Sequence, residues 1–455
     1  MPGTCSIKIL GYLFILSTFL FVASFLRKDF ANYKKRHAEN AIDENRRFAF
    51  GGTVSSFLKT PTAEPYFKSR KEDELWRAFV HQDLADTSVD ENEEQEQLKM
   101  NRFFINDENE KFTFHNHKFV LEKNFITILV QVHDRLDLLK VLLDSLKSVR
   151  GIEKSFLVIS LDTLIPEIEE YLKNDVTFCK LAIIHHPFSM AFYKGQFPAE
   201  SPTDCPKDLK MASDVTCNRA AKADKYGHFR EVKYSQIKLH WTWKLNFIFS
   251  KDEIGTVLLL EEDHFLAEDA LWQIENSLIP TIKESKEMIV GTLGTYIKSK
   301  QAPTYKTDYL RKGVWISGQH NMGMVVDRAF YDNLKLNAAK YCFYDDYNWD
   351  FSLMSLAVEQ QWRVLFPVMP RIYHLGGDCG YHSKSHSCNL QAAQEFVRKT
   401  ISSSNALLFQ KLTRVSNTGP TKYPKLKANG GWGDVRDQRL CLYHFTSETD
   451  TIRNL

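Results

Sequence analysis

The sequence predicts an α/β fold in which a mostly parallel, Rossmann-like sheet is flanked by helices. Residues 125–132 form a run that is apolar on both faces, as expected of a strand buried inside a parallel sheet. The segment after it has helical periodicity, with apolar residues at positions 138, 139, 142, 143 and 146. The alternation continues, with strand signatures at 156–160, 181–184 and 256–260 and helical segments at 166–172 and 231–249. Such sheets bind ligands at the carboxyl ends of their strands, and we expect the functional residues there.

The composition limits the classes of function that fit the chain. It has 455 residues, of which 43% are hydrophobic and 25% charged, the balance of a folded globular protein. Its 59 basic and 57 acidic residues lack the basic excess of most nucleic-acid-binding proteins, so no nucleic-acid partner is predicted. The chain also lacks the P-loop, GxGxxG, GxSxG and HExxH motifs of NTPases, dinucleotide-dependent oxidoreductases, α/β-hydrolases and zincins.

An uncharged run near the amino terminus predicts a membrane anchor. Residues 9–26 contain no charged side chain, with Lys8 before them and Arg27 and Lys28 after them. A helix of this length reaches about 27 Å, close to the hydrocarbon thickness of a bilayer. We predict a transmembrane signal-anchor there, with residues 1–8 as a cytoplasmic tail; a cleaved signal peptide or a buried core helix fits the run less well. The positive-inside rule alone would keep the rest of the chain in the cytoplasm.

The chain between this run and the predicted sheet lacks strong apolar periodicity. It is very acidic between residues 82 and 110, and a charge run of this kind does not bury enough surface to fold alone. We predict a solvated luminal stem over residues 27–118, a folded domain over 119–447 and a short tail over 448–455. An acidic interaction segment is the alternative for the acidic stretch.

Three consecutive carboxylates, Glu261, Glu262 and Asp263, follow the strand at 256–260, and His264 comes next. Carboxylates at the mouth of a buried strand repel one another unless a cation lies between them. Oxygen ligands suit Mg²⁺ or Mn²⁺, and those ions in turn suit a diphosphate. The alternative is a solvated helix N-terminus, because acidic residues also favour the positive end of the helix dipole. The residues alone leave both interpretations open.

A second acidic cluster lies among aromatic residues at 344–350. It contains Asp345, Asp346 and Asp350, and one carboxylate in a partly apolar site could act as a general base with a raised pKa. The alternative is a capped helix start, because apolar residues follow at helical spacing. His374 comes after a further strand-like segment, and a lone histidine is more often structural than a ligand.

Two pairs of cysteines are close enough in sequence to form short disulfide loops. Cys205 and Cys217 enclose eleven residues, and Cys379 and Cys388 enclose eight. Disulfides persist in oxidising compartments, so this pairing would place the folded domain in a lumen and argues against the cytoplasmic orientation.

Seven motifs, taken together, closely resemble the N-acetylglucosaminyltransferase II family over about residues 120 to 445. In chain order the motifs are Gln131 to Arg135, Gly227 to Glu231, Leu260 to His264, His320 to Gly323, Tyr344 to Asp350, Arg371 to His374 and Asn429 to Asp434. The resemblance implies a GT-A fold and an inverting, Mn²⁺-dependent enzyme. It would transfer N-acetylglucosamine from UDP-GlcNAc, in β1,2 linkage, to the α1,6-arm mannose of N-glycans on glycoproteins.

The same resemblance implies a single-pass type II protein of the Golgi membrane, with residues 119–447 as a catalytic domain in the lumen. UDP-GlcNAc and the N-glycan acceptor would be its binding partners, and a homodimer is left open as its assembly state. The residues also leave open an alternative function, a membrane-anchored protein that binds a glycan or a nucleotide sugar without catalysis.

The roles of individual residues follow from the resemblance as well. The Mn²⁺ ligands correspond to Asp263 and His374, and the catalytic base corresponds to Asp350, with Asp346 as a rival base. The residues implied in acceptor binding are Glu262, Asn321, Asp346 and Trp349, and those implied in donor binding are Gln131, Val132, His133, Asp134, Arg135, Asp162, Gln236, Ile237, Lys238, Leu239, His240 and Lys300.

Two donor positions depart from the family pattern. Lys300 stands where the family has Arg, which would replace a bidentate phosphate contact by a point charge. Leu239 stands where the family has His, which removes a polar side chain from that contact. The disulfides of the family correspond to Cys205–Cys217, Cys379–Cys388 and Cys342–Cys441, and they leave Cys5 and Cys179 unpaired.

Overall fold

The structure is a computed structural model that describes residues 93–209, 217, 223–376 and 389–446. These residues all belong to one structural unit of the chain, 63–455. Several predicted segments lie outside the described residues: the cytoplasmic tail at 1–8, the anchor at 9–26, most of the stem, the Cys379–Cys388 pair and the tail at 448–455. Within the described ranges, no helix combines the length and the hydropathy that a membrane span requires.

A mixed, mostly parallel β-sheet forms the centre of the described structure. Its strands are β1 Phe114–His115, β2 Ile126–Val132, β3 Phe156–Leu161, β4 Lys180–His185, β5 Thr256–Glu261, β7 Ile289–Thr292, β8 Leu310–Val314, β9 Met324–Asp327, β10 Arg363–Pro367 and β12 Val415–Ser416, in the order β1-β4-β3-β2-β5-β9-β7-β10-β8-β12. Strands β4, β3, β2 and β5 are parallel neighbours, which confirms the predicted parallel sheet in this half. The other half is mixed, because β9 is antiparallel to both β5 and β7, whereas β10 is parallel to β7.

Helices cover both faces of this sheet. They are α1 Glu93–Lys111, α2 Leu136–Lys147, α3 Pro166–Asp175, α4 Val232–Phe249, α5 Ala270–Gln273, α6 Ile279–Lys283, α7 Arg328–Leu336, α8 Ala338–Phe343, α9 Trp349–Gln360, α10 Leu390–Ser402 and α11 Val435–Thr446. Successive strand residues point to opposite faces, so Leu129 and Val158 pack in the core under α4, while Ile128 and Leu157 pack in the core under α2. The predicted helices are confirmed as α2, α3 and α4.

Helix α1 differs from the solvated stem that the sequence predicts for this region. Ile105 is fully buried, Asn109 Nδ2 donates to the His185 carbonyl at 2.7 Å, and Arg102 Nη1 donates to the Phe192 carbonyl at 2.6 Å. Residues 102, 105 and 109 share one helical face, and that face docks mainly through polar side chains. The apolar signal is therefore weak, although the helix packs beside β4.

A separate two-stranded ribbon brings a distant part of the chain to the end of β5. Strand β6, His264–Leu266, pairs antiparallel with β11, Ile372–His374, so that His374 lies opposite His264. Arg371 precedes β11 and is fully buried, and its guanidinium lies 2.8 Å from both Asp269 and Asp308. These ion pairs hold the ribbon, and with it His374, beside the carboxyl edge of the sheet.

Replacing Arg371 by Met should destabilise the fold by about 3–5 kcal/mol, because the substitution leaves two buried carboxylates without a counter-ion. Equilibrium urea unfolding measures this effect. Lys335→Met, at an exposed position of α7, is the control and should change the free energy of unfolding by about 0.5 kcal/mol or less. Equal stability of the two variants would contradict the anchoring role of Arg371.

Candidate active site

Residues that follow β2 and β5 are joined by hydrogen bonds at the carboxyl edge of the sheet. Glu262 accepts the His133 amide at 2.9 Å and Arg135 Nε at 2.5 Å. The Arg135 guanidinium also lies 3.1 Å from Asp263 Oδ2. Both oxygens of the buried Glu262 carboxylate are therefore hydrogen-bonded to the segment after β2. The resemblance implies an acceptor contact for Glu262, but its partners here are residues implied in donor binding.

Asp263 and His374, the two implied metal ligands, lie together at this edge. His374 Nε2 is 3.4 Å from Asp263 Oδ2, and the buried Asp263 Oδ1 has no hydrogen-bond partner among the described residues. Burial alone would raise the pKa of Asp263, but the hydrogen bond with His374 and the charges of His374 and Arg135 outweigh it and hold the pKa below its usual range. Asp263 is therefore ionised at neutral pH and keeps one oxygen without a partner.

The side chains around Asp263 form a set of oxygen and imidazole ligands. Ligand atoms of Glu261, Asp263 and His264 all lie within 4.8 Å of one another. Burial lowers the pKa of His264 to about 3, so its imidazole is neutral, the form that coordinates metals. Gly376 passes so close that a Cβ there would lie 2.5 Å from Asp263 Oδ2. This donor set, with an unpartnered buried carboxylate oxygen, fits a divalent cation.

Lys244 is a buried basic residue beside this cluster, and no sequence motif pointed to it. It lies on α4 and is 1% exposed. Burial lowers the pKa of Lys244, and the charge of Glu261 opposes that effect. Burial and the charge of Asp263 raise the pKa of Glu261, with Lys244 and His374 opposing. The acidic cluster is thus compensated in part by the chain's own basic groups.

A second group of polar side chains connects the ends of β2 and β3 to α4. Asp162 Oδ1 lies 2.6 Å from His133 Nδ1, and its Oδ2 lies 3.5 Å from Nδ1 of His240, whose Nε2 is 2.8 Å from Ser160 Oγ. The hydrogen bond with Asp162 raises the pKa of His133 to about 9 despite partial burial. Burial would raise the pKa of Asp162, but its two histidine partners hold it at about 2. His133 therefore carries a positive charge at neutral pH.

The remaining implied donor residues are not all brought to this edge. Gln236 is buried and accepts the Met190 amide at 2.8 Å, and Leu239 lies in the hydrophobic core. Lys238 is fully buried, with its amine 3.1 Å from the Asp346 carbonyl.

The other implied donor residues differ in exposure. Val132 is buried and Ile237 is half-buried, whereas Asp134 and Lys300 are exposed. The Gln131 Oε1 atom is buried without a hydrogen-bond partner among the described residues.

Asp350 and Asp346, the rival bases, differ in how their oxygens are used. Asp346 Oδ1 accepts the backbone and side-chain N–H groups of Asn348, and its Oδ2 accepts those of Asn429. Asp350 Oδ2 accepts two side-chain donors, but Oδ1 accepts only the Phe351 amide among the described residues. Burial raises the pKa of Asp350, and its hydrogen bonds oppose this. Asp350 is therefore the carboxylate that keeps an oxygen able to take a proton.

Tyr296, which the sequence analysis did not select, lies between Asp350 and the cation ligands. Its ring packs edge-on against His374 at 5.6 Å. Burial and the charges of Glu261 and Asp350 raise the pKa of its hydroxyl. Asp350 also interacts electrostatically with Glu261. The base candidate and the cation candidate therefore share one site.

Trp349 lies inside the protein beside this site. It is 6% exposed, and its ring stacks on Trp241 at 4.7 Å with an interplanar angle of 4°. The stack packs the start of α9 against α4. Trp349 thereby fixes the element that carries Asp350, and most of its surface is covered by the protein.

Two of the three implied disulfides are present among the described residues. Cys205 is bonded to Cys217 and Cys342 to Cys441. Cys179 is a free thiol and is buried in the core, as the resemblance implies. Burial raises the pKa of its thiol to about 12, so it stays protonated and unreactive.

The described residues form an α/β fold whose sheet edge has acidic and imidazole side chains that fit a divalent cation, with a buried carboxylate nearby, and the relatives of the chain place it in the glycosyltransferase class. The family described as N-acetylglucosaminyltransferase II (MGAT2) matches residues 102–441. The chain belongs to the N-acetylglucosaminyltransferase II family, which confirms the resemblance seen in the sequence.

Curated relatives agree with this assignment. Proteins named alpha-1,6-mannosyl-glycoprotein 2-beta-N-acetylglucosaminyltransferase from Sus scrofa and Homo sapiens are each 36% identical to the chain, over 70% of this chain and 72% of the relative. The protein of the same name from Arabidopsis thaliana is 26% identical, over 71% and 75%. Among solved structures, S. aureus TarS 1–349 is 11% identical over 62% of this chain and 73% of that chain, with a TM-score of 0.33, which is too low to establish a shared fold.

Replacing Asp263 by Asn should weaken divalent-cation binding about 10-fold or more, because the substitution removes the ionised oxygens at the centre of the ligand set. Isothermal titration of the full chain in detergent with MnCl₂ or MgCl₂ measures the affinity. Asp332→Asn, at an exposed position of α7, is the matched control and should bind as the wild type does. Unchanged affinity in the Asp263 variant would contradict the cation site.

Proposed function

We propose that the chain transfers N-acetylglucosamine from UDP-GlcNAc to the 2-hydroxyl of the α1,6-arm mannose of N-glycans, forming a β1,2 linkage on a GT-A fold. Family membership supports the reaction, because the mammalian relatives carry this activity in their names. The structural observation that supports it best is the position of Asp350. Its available oxygen lies in the same site as Asp263 and His374.

The donor's diphosphate is proposed to bind at the ends of β2 and β3. Two cations lie there, His133 held protonated by Asp162, and the guanidinium of Arg135. Charge-assisted hydrogen bonds from these groups suit phosphate oxygens. Asp162 in turn keeps the His133 ring in one orientation through a 2.6 Å hydrogen bond.

Asp263 and His374 are proposed to hold a Mn²⁺ ion, with Glu261 and His264 beside them. When bound, the ion supplies positive charge that stabilises the UDP leaving group. The contribution of the chain is a ligand that is already ionised. Arg135 and His374 lower the pKa of Asp263, and its oxygen without a partner faces no competing hydrogen bond from the described residues.

Asp350 is proposed as the general base. Its Oδ1 accepts the proton of the mannose 2-hydroxyl as that oxygen attacks the anomeric carbon from the face opposite UDP. Burial strengthens the base by raising the pKa of its carboxyl group. A single displacement inverts the anomeric centre, so an α-linked donor gives a β-linked product and no covalent intermediate forms. Asp346, with both oxygens bonded to Asn348 and Asn429, is assigned to holding the loop before α9.

The proposed location is the Golgi membrane, with a type II topology and the catalytic domain in the lumen. The Cys205–Cys217 and Cys342–Cys441 disulfides support an oxidising compartment. UDP-GlcNAc and glycoprotein N-glycans are the proposed partners, and a homodimer is retained as an assembly to be measured.

The full chain in detergent should release UDP from UDP-GlcNAc only when Mn²⁺ and an N-glycan with a free α1,6-arm mannose are both present. Mass spectrometry should find one added N-acetylglucosamine on that mannose. An acceptor whose α1,6-arm mannose is already substituted at the 2-hydroxyl is the matched control. Transfer that persists in EDTA, or transfer to another sugar, would contradict the proposal.

Replacing Asp350 by Asn should lower kcat about 10²-fold or more, because the amide cannot accept the hydroxyl proton, while affinity for UDP-GlcNAc stays nearly unchanged. Steady-state kinetics and donor titration separate the two quantities. Asp332→Asn is the control for the substitution itself. Loss of donor binding, or a kcat equal to that of the wild type, would remove Asp350 from the role of base. A wild-type chain that binds UDP-GlcNAc without any turnover would favour a non-catalytic binding protein.

A further inference from the structure

The segment between β8 and β9 approaches Asp350 through a residue that has no assigned role. Ser317 is 7% exposed, and its hydroxyl donates to Asp350 Oδ2 at 2.7 Å. Asn321, from the same segment, donates to the same oxygen at 2.8 Å. Two side chains four residues apart thus donate hydrogen bonds to the same carboxylate oxygen.

The segment is held in a fixed turn by its own contacts. The Ile316 amide donates to His320 Nδ1 at 3.0 Å, and the Ile316 carbonyl accepts the Gln319 and His320 amides. Gly318 has a φ of +69°, which a residue with a side chain rarely adopts. The His320 ring packs on Phe366 of β10 with ring centroids 4.9 Å apart, which joins the turn to the sheet.

His320 is suited to this holding role because it stays neutral. Burial lowers its pKa to about 3, so Nδ1 remains an acceptor for the Ile316 amide at neutral pH. His320 is 1% exposed, and the sequence analysis noted it only as part of a motif. Its contacts explain why histidine is found there: the ring closes the turn that presents Ser317.

The two carboxylate oxygens of Asp350 differ in the number of hydrogen bonds that they accept. Oδ2 accepts from Ser317 and Asn321 and is fully used, because a carboxylate oxygen accepts about two hydrogen bonds. Oδ1 accepts the Phe351 amide and keeps one lone pair. Rotation of the carboxylate would break the hydrogen bonds that Oδ2 accepts from Ser317 and Asn321. These bonds therefore fix the direction of the remaining lone pair on Oδ1.

We infer that Ser317 is a positioning residue for Asp350, aiming Oδ1 at the acceptor hydroxyl from a turn that His320 closes. The inference rests on the proposed function, in which Asp350 is the base. It differs from a role in stability alone, because a residue that aims the base affects kcat and leaves donor binding unchanged.

The test compares Ser317→Ala, Ser317→Thr and Ser317→Cys in the full chain, with UDP-GlcNAc, Mn²⁺ and the N-glycan acceptor. Ser317→Ala should lower kcat about 10-fold or more, with the KM for UDP-GlcNAc changed by less than about twofold. Ser317→Thr keeps the hydroxyl and should restore most of kcat, and Ser317→Cys, a weaker donor, should fall between them. Ser355→Ala, further along α9, is the control and should behave as the wild type.

Several outcomes would overturn the inference. One is a Ser317→Ala variant with wild-type kcat and a lower urea midpoint, which would show a structural role alone. Another is a rise in donor KM at unchanged kcat. If the Ala variant does not fold, the test uses Ser317→Cys in its place. A kcat of the Cys variant equal to that of Ser317→Thr would then overturn the inference. If the wild-type chain shows no transfer, the proposed function fails and the inference fails with it. If the wild type is active and only the Ser317 variants depart from the expected results, the inference fails alone.

Discussion

The pairing of β6 with β11 is the contact on which the rest of the site depends. It joins segments far apart in the sequence and sets His374 opposite His264, next to Asp263. The ribbon is short, and the buried ion pairs of Arg371 hold its second strand. Buried charges are stabilising only while each has its partner, so this anchor resists partial opening. The proposed cation ligands therefore come from two parts of the chain whose distance is set by one strand register.

The charges of the site are balanced locally, so the proposed binding of a diphosphate and a cation is compatible with a net charge of only +2. Beside the acidic cluster after β5, Arg135 supplies positive charge from the segment after β2, and Lys244 of α4 opposes the rise in the pKa of Glu261. On the donor side, Asp162 keeps His133 protonated. Asp350, the proposed base, is not part of these ion pairs, because its partners Ser317 and Asn321 are neutral donors. Its carboxylate can therefore take a proton without a counter-ion that would hold it ionised.

Much of the fold could be predicted from the sequence because its central strands are apolar on both faces. Strands β2 to β5 have this pattern, and the helices between them have apolar residues at helical spacing. Strand β8 contains Arg311 and Lys312 and lacks the pattern. Helix α1 docks through Arg102 and Asn109, so apolar periodicity does not reveal it. In the site, Asp263 could be predicted from the sequence because it closely follows a buried strand. Ser317 was not, because a serine gains its role only from a tertiary neighbour.

The anomeric configuration of the product tests the central claim most directly, because it reports how the base and the leaving group are placed across the reacting carbon. The full chain would be incubated with UDP-GlcNAc, Mn²⁺ and the N-glycan acceptor, and the H1–H2 coupling of the transferred sugar measured by NMR before any hydrolysis. A β linkage to the 2-hydroxyl of the α1,6-arm mannose is the predicted result, as a single displacement assisted by Asp350 requires. An α linkage would contradict it, since retention needs a different arrangement of the site.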